Sequence, residues 1–184
     1  ERRREILDPE HPDILIAMNN LGQSLSNDGQ HDEAMKLFTE ALAIKRRTLG
    51  NEHPSTITSI GNLGSLLADM GKGEEALPYQ EEAARLSRAA LGEDHVSTLK
   101  SLVNLGLAYQ AVGDYQRAEQ LLQEALESMR RTLGPDHPLS LRALNKWGNL
   151  LYAQGRHAEA VPEFIELTEG NRRVYGDEDP ITLI

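Results

Sequence analysis

The chain has 184 residues, of which 39% are hydrophobic and 26% are charged, so it is able to bury a core as one or two domains. Its net charge of −10 argues against nucleic acid or an anionic membrane as partners, because both would repel it. The absence of cysteine excludes disulfides and thiolate metal sites and fits a cytoplasmic location. No apolar run approaches the roughly 20 residues that cross a bilayer.

A turn-forming hexapeptide occurs five times at a spacing of 42 residues. The copies are LDPEHP (7–12), LGNEHP (49–54), LGEDHV (91–96), LGPDHP (133–138) and YGDEDP (175–180). Four further columns share this spacing: Gly22, Gly64, Gly106 and Gly148; Gly29, Gly71, Gly113 and Gly155; Ala34, Ala76, Ala118 and Ala160; Arg4, Arg46, Arg88, Arg130 and Arg172. A fixed period of this length indicates one supersecondary unit copied four times. We place the repeats at about 8–49, 50–91, 92–133 and 134–175, within one domain over 1–184.

The first predicted element of each repeat is a helix, called helix A. In the first repeat Leu15, Met18, Leu21 and Leu25 form one stripe at helical spacing, and in the second repeat helix A is predicted over about 54–70. A proline stands at the predicted first position, where its missing N–H costs nothing. These prolines are Pro12, Pro54, Pro138 and Pro180, and Val96 takes the place in the third repeat.

The second predicted element is helix B, which in the second repeat runs over about 74–91. Gly50, Gly92, Gly134 and Gly176 are expected to end each helix B in the αL conformation. Small residues such as Gly22 and Ala34 lie one in each helix of a hairpin, so the two helices are expected to approach closely. No strand pattern is present, and the predicted fold is all-α.

Two polar columns have structural interpretations. His11, His53, His95 and His137 recur like metal ligands, but helices pack about 8–10 Å apart and zinc needs each nitrogen at about 2.0–2.1 Å. We therefore interpret them as helix caps or linker hydrogen bonds and expect no metal and no cofactor. The arginine column lies in the last turns of helices B, and we expect it to pair with the linker acids. These acids are Glu10, Glu52, Asp94, Asp136 and Glu178.

The paired helices, the Leu-Gly inside helix A and the LGxxHP linkers resemble tetratricopeptide repeats, known as TPRs. The period of 42 residues and stretches such as LGPDHPLSLRALNKWGNLLYAQGRHAEA are similar to the kinesin light chain type. Val96, Asp179, Gly61 and Val103 depart from the repeat pattern, and the coiled-coil heptads of a true kinesin light chain are absent from the sequence. The resemblance implies a right-handed α-solenoid with helices A on its concave side.

One column on helix A is a candidate for binding. Asn20, Asn62 and Asn104 are followed in the fourth repeat by Lys146, while the neighbouring leucines and Trp147 build the apolar stripe. One turn earlier stand Ile16, Thr58, Lys100 and Arg142, so the third and fourth repeats gain a local positive patch. The resemblance implies that this face holds an extended peptide through its main chain or carboxylates. The predicted groove residues are Asn20, Asn62, Lys100, Asn104, Arg142, Asn145, Lys146 and Asn149. A column of solvated or inter-repeat hydrogen-bonded asparagines is the alternative.

Two classes of function stay open, and neither is enzymatic, because acidic pairs such as Glu74 and Glu75 have no His, Ser or Lys partner held against them. The chain is either a scaffold that binds a peptide or protein segment, or an oligomerisation or regulatory segment of a larger signalling protein, for example one with a nucleotide-binding domain of the NLR type. Residues 1–7 (ERRREIL) and 180–184 (PITLI) read as partial helices of further repeats. We therefore expect an excised piece of a longer solenoid whose ends associate head to tail.

Overall fold

The computed structural model of the protein describes residues 10–176, and over this range the chain forms eight α-helices and no strand. The helices are α1 (Pro12–Asn27), α2 (His31–Leu49), α3 (Pro54–Asp69), α4 (Gly73–Leu91), α5 (Val96–Ala111), α6 (Tyr115–Leu133), α7 (Pro138–Ala153) and α8 (His157–Tyr175). Odd-numbered helices are helices A and even-numbered helices are helices B, so the four predicted hairpins are confirmed. The partial helices predicted at both ends, with Arg4, Glu178, Asp179 and Pro180, lie outside the described residues.

Every helix A begins with the same cap. The histidine Nδ1 accepts a hydrogen bond from the backbone N–H two residues later, at 3.2 Å for His11 and at 3.1 Å for His53, His95 and His137. The cap satisfies one of the N–H groups that a helix start leaves unpaired. A proline follows directly in α1, α3 and α7, as predicted. The histidine column is therefore explained by capping.

The glycines that end helices B differ from the prediction. Gly50, Gly92, Gly134 and Gly176 have φ values of 83°, 89°, 95° and 88°, which favour glycine as expected, but their ψ values are 168°, 166°, 157° and 172°. An αL residue has ψ near +47°, so the αL prediction is wrong. These glycines adopt the extended positive-φ conformation that is essentially restricted to glycine. The backbone therefore leaves helix B extended before the next helix A begins.

The glycine inside each helix A makes room for a large side chain of helix B. A Cβ on Gly22 would lie 2.7 Å from the Phe38 ring, and one on Gly148 would lie 2.9 Å from the Phe164 ring. Gln80 and Leu122 hold the same relation to Gly64 and Gly106. The predicted close approach of the two helices is confirmed, and a helix B side chain occupies the space that the glycine leaves.

The chain divides into two compact units, Glu1–Gly92 and Glu93–Ile184. In the first unit α2 packs against both α1 and α3. One core cluster is built around Phe38, Leu42 and Ile60, and a smaller one around Leu15, Met18 and Ala41. Each unit is therefore a pair of stacked hairpins with its own apolar interior. The prediction of one domain over 1–184 stays a prediction.

In the second unit α6 packs against both α5 and α7. Leu102, Leu122, Met129 and Leu144 are at most 2% exposed and form the interior of this unit. The α2–α3 and α6–α7 contacts join one hairpin to the next, and they are called the first and second seams below.

Candidate peptide-binding surface

The first unit places two of the predicted groove asparagines on neighbouring helices. Asn20 lies exposed on α1, and Asn62 lies half-buried on α3, which contacts α1 directly. Ile16 and Thr58 stand one turn before them and are also exposed. We call these four residues the first A surface. It carries no charged side chain, so it offers amide and hydroxyl groups beside one isoleucine.

The second unit places three cations and one amide in the corresponding arrangement. Lys100 and Asn104 follow one face of α5, and Arg142 and Lys146 follow the same face of α7, which contacts α5. Lys100 and Arg142 are exposed, whereas Asn104 and Lys146 are half-buried. We call these four residues the second A surface. The predicted positive patch in an acidic protein is therefore confined to one pair of adjacent helices.

Two further predicted groove residues on α7 bind each other. Asn149 Nδ2 donates a hydrogen bond to Asn145 Oδ1 at 2.8 Å, and both side chains are exposed. The pair uses one donor and one acceptor, so Asn145 keeps its amide hydrogens and Asn149 keeps its carbonyl oxygen for other partners. Asn145 and Asn149 therefore extend the second A surface along α7.

Polar groups on both A surfaces are available for binding. Within residues 10–176, the side chains of Asn20, Asn62 and Asn104 form no hydrogen bond, and those of Lys100, Arg142 and Lys146 form no ion pair. An inter-repeat hydrogen-bond ladder therefore does not account for the asparagine column. An asparagine amide donates and accepts at once, which matches the needs of a peptide main chain.

The arginine column pairs, but with a different partner from the one predicted. Arg46 on α2 contacts Glu82 on α4 at 2.7 Å, and Arg130 on α6 contacts Glu166 on α8 at 2.7 Å. The correct partners are thus glutamates on the next helix B of the same unit, which the long arginine side chain reaches. The sequence did carry the signal, as a glutamate recurs at this place in every repeat: Glu40, Glu82, Glu124 and Glu166.

The linker acids pair with the arginine one position later. Arg131 contacts Asp94 at 2.5 Å, Arg173 contacts Asp136 at 2.7 Å, and Arg47 contacts Glu10. Hydrogen bonds from Ser128 and Arg131 lower the pKa of Asp94, and the hydrogen bond from Arg173 lowers that of Asp136. The second repeat has Ala89 at this position and cannot form the pair.

Sequence reasoning also missed a buried lysine in the first seam. Lys45 is 2% exposed, and its Nζ donates to Ser59 Oγ at 2.8 Å and to the Ser55 carbonyl at 3.4 Å. Ser59 Oγ in turn donates to Asn19 Oδ1 at 3.3 Å. Burial lowers the pKa of Lys45 to about 8. The sequence did contain a signal for this burial, because Met129 stands at the position of Lys45 two repeats later and marks it as an interior position.

Models of the tetratricopeptide repeat match the chain over residues 14–55, 55–131 and 101–169. The chain belongs to the tetratricopeptide repeat family. Together with the helix-turn-helix architecture, this confirms the predicted fold class, an all-α solenoid of TPR repeats. No curated protein sequence matches the chain closely.

Solved structures identify the type of TPR array. Nearly identical TPR-like repeats of a kinesin light chain-type protein from Podosopora anserina are 30% identical, with a TM-score of 0.79 over 95% of this chain and 82% of that one. BtubC (BKLC) from P. vanneervenii is 21% identical, with a TM-score of 0.77 over 95% of this chain and 70% of that one. Apo RapI is 18% identical, with a TM-score of 0.76 over 94% and 60%. The chain is a TPR array of the kinesin light chain type.

The described helices include none that is long and apolar enough to cross a membrane. Within residues 10–176 no three His, Asp or Glu side chains converge on a site that would hold a metal ion. As a TPR array, the chain is a scaffold for protein interactions.

Proposed function

We propose that the protein binds an extended peptide segment across its helices A, and that the second A surface prefers segments rich in carboxylates. The single observation that carries the proposal is the grouping of Lys100, Arg142 and Lys146 on two adjacent helices without an internal ion pair. Cations beside the half-buried amide of Asn104 suit a ligand that presents both carboxylates and a peptide main chain. Asn20 and Asn62 on the first A surface would hold main-chain groups.

Charge supports the location as well as the ligand. The protein has a net charge of −10, so an acidic peptide is repelled by most of its surface. A local cluster of cations therefore has to supply the attraction over a short range, about 8 Å at physiological ionic strength. Asn145 and Asn149 beside the cluster add exposed amide groups.

The proposal is tested with a fluorescent peptide of alternating Glu and Ser residues, compared with a Lys and Ser peptide of the same length. Lys146→Glu should weaken binding of the acidic peptide about tenfold or more, because a hydrogen bond to a charged group contributes about 1.5–3 kcal/mol. Asn104→Ala should weaken it less. Both variants should unfold at nearly the wild-type temperature, because these half-buried side chains have no internal hydrogen bond or ion pair within residues 10–176 to lose.

Lys36→Glu is the matched control. Lys36 is exposed on α2, outside both A surfaces, and the substitution changes the net charge by the same amount. Its affinity for the acidic peptide should stay close to that of the wild type. Equal losses in Lys36→Glu and Lys146→Glu, or equal binding of the acidic and basic peptides, would remove the second A surface as the site. A large fall in the unfolding temperature of Asn104→Ala would assign that asparagine to the fold.

A specific observation favours a second candidate function, self-association. Val161 and Ile165 on α8 are each 55% exposed, and Phe164 and Thr168 beside them are more exposed than their counterparts in the other repeats. An apolar helix face of this kind is typical of an interaction surface. A test of this function is the dependence of molar mass on protein concentration, measured by light scattering.

A further inference from the structure

A cleft in the first unit lies between α2 and α4 and has α3 at its base. Its lining residues fall between positions 35 and 79, and none of them belongs to an A surface. The volume of the cleft is about 410 Å³, which lies within the usual range for small-molecule sites, about 300–1,000 Å³. The cleft is therefore large enough for a ligand and separate from the proposed peptide site.

The interior of the cleft is apolar. Leu42, Leu63 and Leu67 form its floor and are 4%, 4% and 5% exposed. Met35 on α2 and Tyr79 on α4 are half-buried and line the cleft from its two sides. A thioether and a phenol ring both make favourable contacts with an aromatic ring. The interior therefore suits the ring of a small aromatic molecule.

The second seam shows how the equivalent space is closed. Arg156 Nη1 there donates to Glu119 Oε1 at 2.6 Å, and this ion pair joins the turn before α8 to α6. Two repeats earlier the same positions are Lys72 and Met35. A methionine cannot pair with a lysine, so the mouth of the first cleft lacks the ion pair that crosses the second seam.

Charged groups at the rim favour an anionic ligand. The lining has two cations, Arg46 and Lys72, and one carboxylate, Glu75, in a protein whose net charge is −10. Arg46 binds Glu82 at 2.7 Å, and this ion pair bridges α2 and α4 at one end of the cleft.

Lys72 stands at the other end, directly before α4, and its ammonium is available to a ligand. Its Nζ lies 3.8 Å from Glu75, which is too far for a hydrogen bond. Within residues 10–176 its side chain forms no hydrogen bond, so all three of its N–H donors are free.

We propose that the cleft binds a small aromatic carboxylate, whose ring lies on the leucine floor and whose acidic group binds Lys72. The Arg46–Glu82 ion pair obstructs the far end, which favours a small molecule over a continuous peptide. The bound carboxylate also lies near Glu75, whose charge opposes it. Lys72 and Glu75 therefore affect the affinity with opposite sign. The site uses different residues from the A surfaces, so it does not depend on the proposed peptide binding.

The probe is phenylbutyrate, and phenylbutanol is the control, because it has the same ring and chain without the charge. Amide chemical shifts in a heteronuclear NMR titration give both the affinity and the location of binding. Phenylbutyrate should shift amides around the cleft, such as those of Thr39, Leu67 and Tyr79. It should bind about fivefold more tightly than phenylbutanol, since only the carboxylate forms a charged pair. Shifts confined to the second A surface, equal affinities of the two compounds, or no shift at about 10 mM ligand would overturn the proposal.

Two substitutions test the sign of the charge effect. Lys72→Gln copies Gln30 of the first repeat, so the fold should be retained. It should weaken phenylbutyrate binding about fivefold and change phenylbutanol binding by less than about twofold. Glu75→Gln should strengthen phenylbutyrate binding about twofold, because a like charge is removed. Lys36→Gln, at an exposed position of α2 outside the cleft, is the control, and a loss equal to that of Lys72→Gln would contradict the assignment.

Filling the cleft tests the apolar part of the site. Leu63→Trp copies Trp147 of the second seam and should weaken both compounds about tenfold or more, because the indole occupies the space of the ligand ring. Leu21→Trp adds the same side chain at a position of α1 that is 53% exposed and lies outside the cleft, so it should bind like the wild type. Circular dichroism confirms that each variant is folded.

Met35→Glu closes the mouth and provides a test that does not depend on the larger side chain. It copies Glu119 and places a carboxylate opposite Lys72, as in the second seam. The new ion pair should occupy the lysine and weaken phenylbutyrate binding about tenfold or more. A folded Met35→Glu or Leu63→Trp protein that binds phenylbutyrate as tightly as the wild type would place the ligand outside the cleft and overturn the proposal.

Discussion

The two seams join their helices in the same way, but the first has polar side chains where the second has apolar ones. The first seam contains Lys45, Ser59 and Asn19 in one hydrogen-bonded chain. Two repeats later the same positions are Met129, Ala143 and Val103, and Met129 and Ala143 are at most 2% exposed. Position in the repeat therefore decides that a side chain is buried, whatever its polarity. The cost of burying it is then decided by the groups around it.

The two A surfaces also differ, but here the charged side chains belong to the second unit and not to the first. Thr58 and Asn62 on α3 are neutral, whereas Arg142 and Lys146 at the same positions on α7 are charged. Among the positions compared, the first unit has its positive charge inside the seam, at Lys45, and the second unit has its positive charges on the A surface. We infer that the first A surface contributes hydrogen-bonding groups to peptide binding and that the second A surface contributes the preference for acidic peptides.

The largest effect is expected from moving the lysine into the apolar seam. Met129→Lys should destabilise the protein by about 3 kcal/mol or more, because an ammonium would be buried without hydroxyl or amide acceptors. Urea unfolding measures the change. Met129→Leu is the control and should cost less than about 1.5 kcal/mol. Adding Ala143→Ser, the counterpart of Ser59, should recover part of the loss, and a Met129→Lys protein as stable as the wild type would show that the seam is open to water.

A smaller effect, also caused by burying an ammonium group, is expected in the way the free energy of unfolding depends on pH through Lys45. The folded pKa of about 8 lies below the ordinary lysine pKa of 10.5, so the unfolded chain binds more protons between these values and stability rises with pH across this range. The full difference corresponds to about 3 kcal/mol. Lys45→Met, which copies Met129, should be more stable than the wild type at pH 7 by about 1–2 kcal/mol, since its lost hydrogen bonds offset part of the gain.

The advantage of Lys45→Met should shrink as the pH rises from 8 to 10.5, because the folded wild-type lysine is then neutral while the unfolded one still binds a proton, so only the wild type gains stability from this group. Unfolding of both proteins at matched pH values isolates this group from the other lysines. A difference that does not change with pH would mean that the ammonium of Lys45 is not desolvated in the fold.

The smallest effect is expected from restoring the ion pair to a linker acid that the second repeat lacks at Ala89. Ala89→Arg would place a guanidinium opposite Glu52, as Arg131 is placed opposite Asp94. Because the pair would be exposed, the gain in the free energy of unfolding should be below about 1 kcal/mol and should fall with salt. Ala89→Gln controls for the longer side chain. A gain that is equal for glutamine and arginine would assign it to packing along α4.

The period of 42 residues explains why so much of the fold was predictable from sequence. Each helix boundary is sampled four times, so the helix limits in the second repeat were placed within about a residue, and the histidine caps and prolines followed from their positions. The ψ angles of Gly50 and its equivalents were not predictable, because a glycine at the end of a helix indicates only that φ is positive. The partners of Arg46 and Arg130 depend on where the next hairpin of the unit places its helix B, which the repeat pattern alone does not specify.

The repeated positions that make up the candidate site could be predicted from the sequence, but the ligand that would bind there could not. The spacing of four residues correctly put Lys100 with Asn104 and Arg142 with Lys146 on shared helix faces. Lys45 was missed because charged residues are expected outside, although its column also contains Met129. What binds an A surface depends on the placement of several side chains at once, and no repeat pattern encodes the partner.

The most direct test of the peptide-binding proposal converts the second A surface into the first. Arg142→Thr with Lys146→Asn copies Thr58 and Asn62, so the fold should be retained while the net charge falls from −10 by two, to −12. Lys36→Asn with Arg85→Thr is matched in charge and lies on exposed positions of helices B. Affinity for the Glu and Ser peptide is measured by fluorescence anisotropy at physiological salt. The account predicts a loss of about tenfold or more in the first variant and less than about twofold in the second, and equal losses in the two would contradict it.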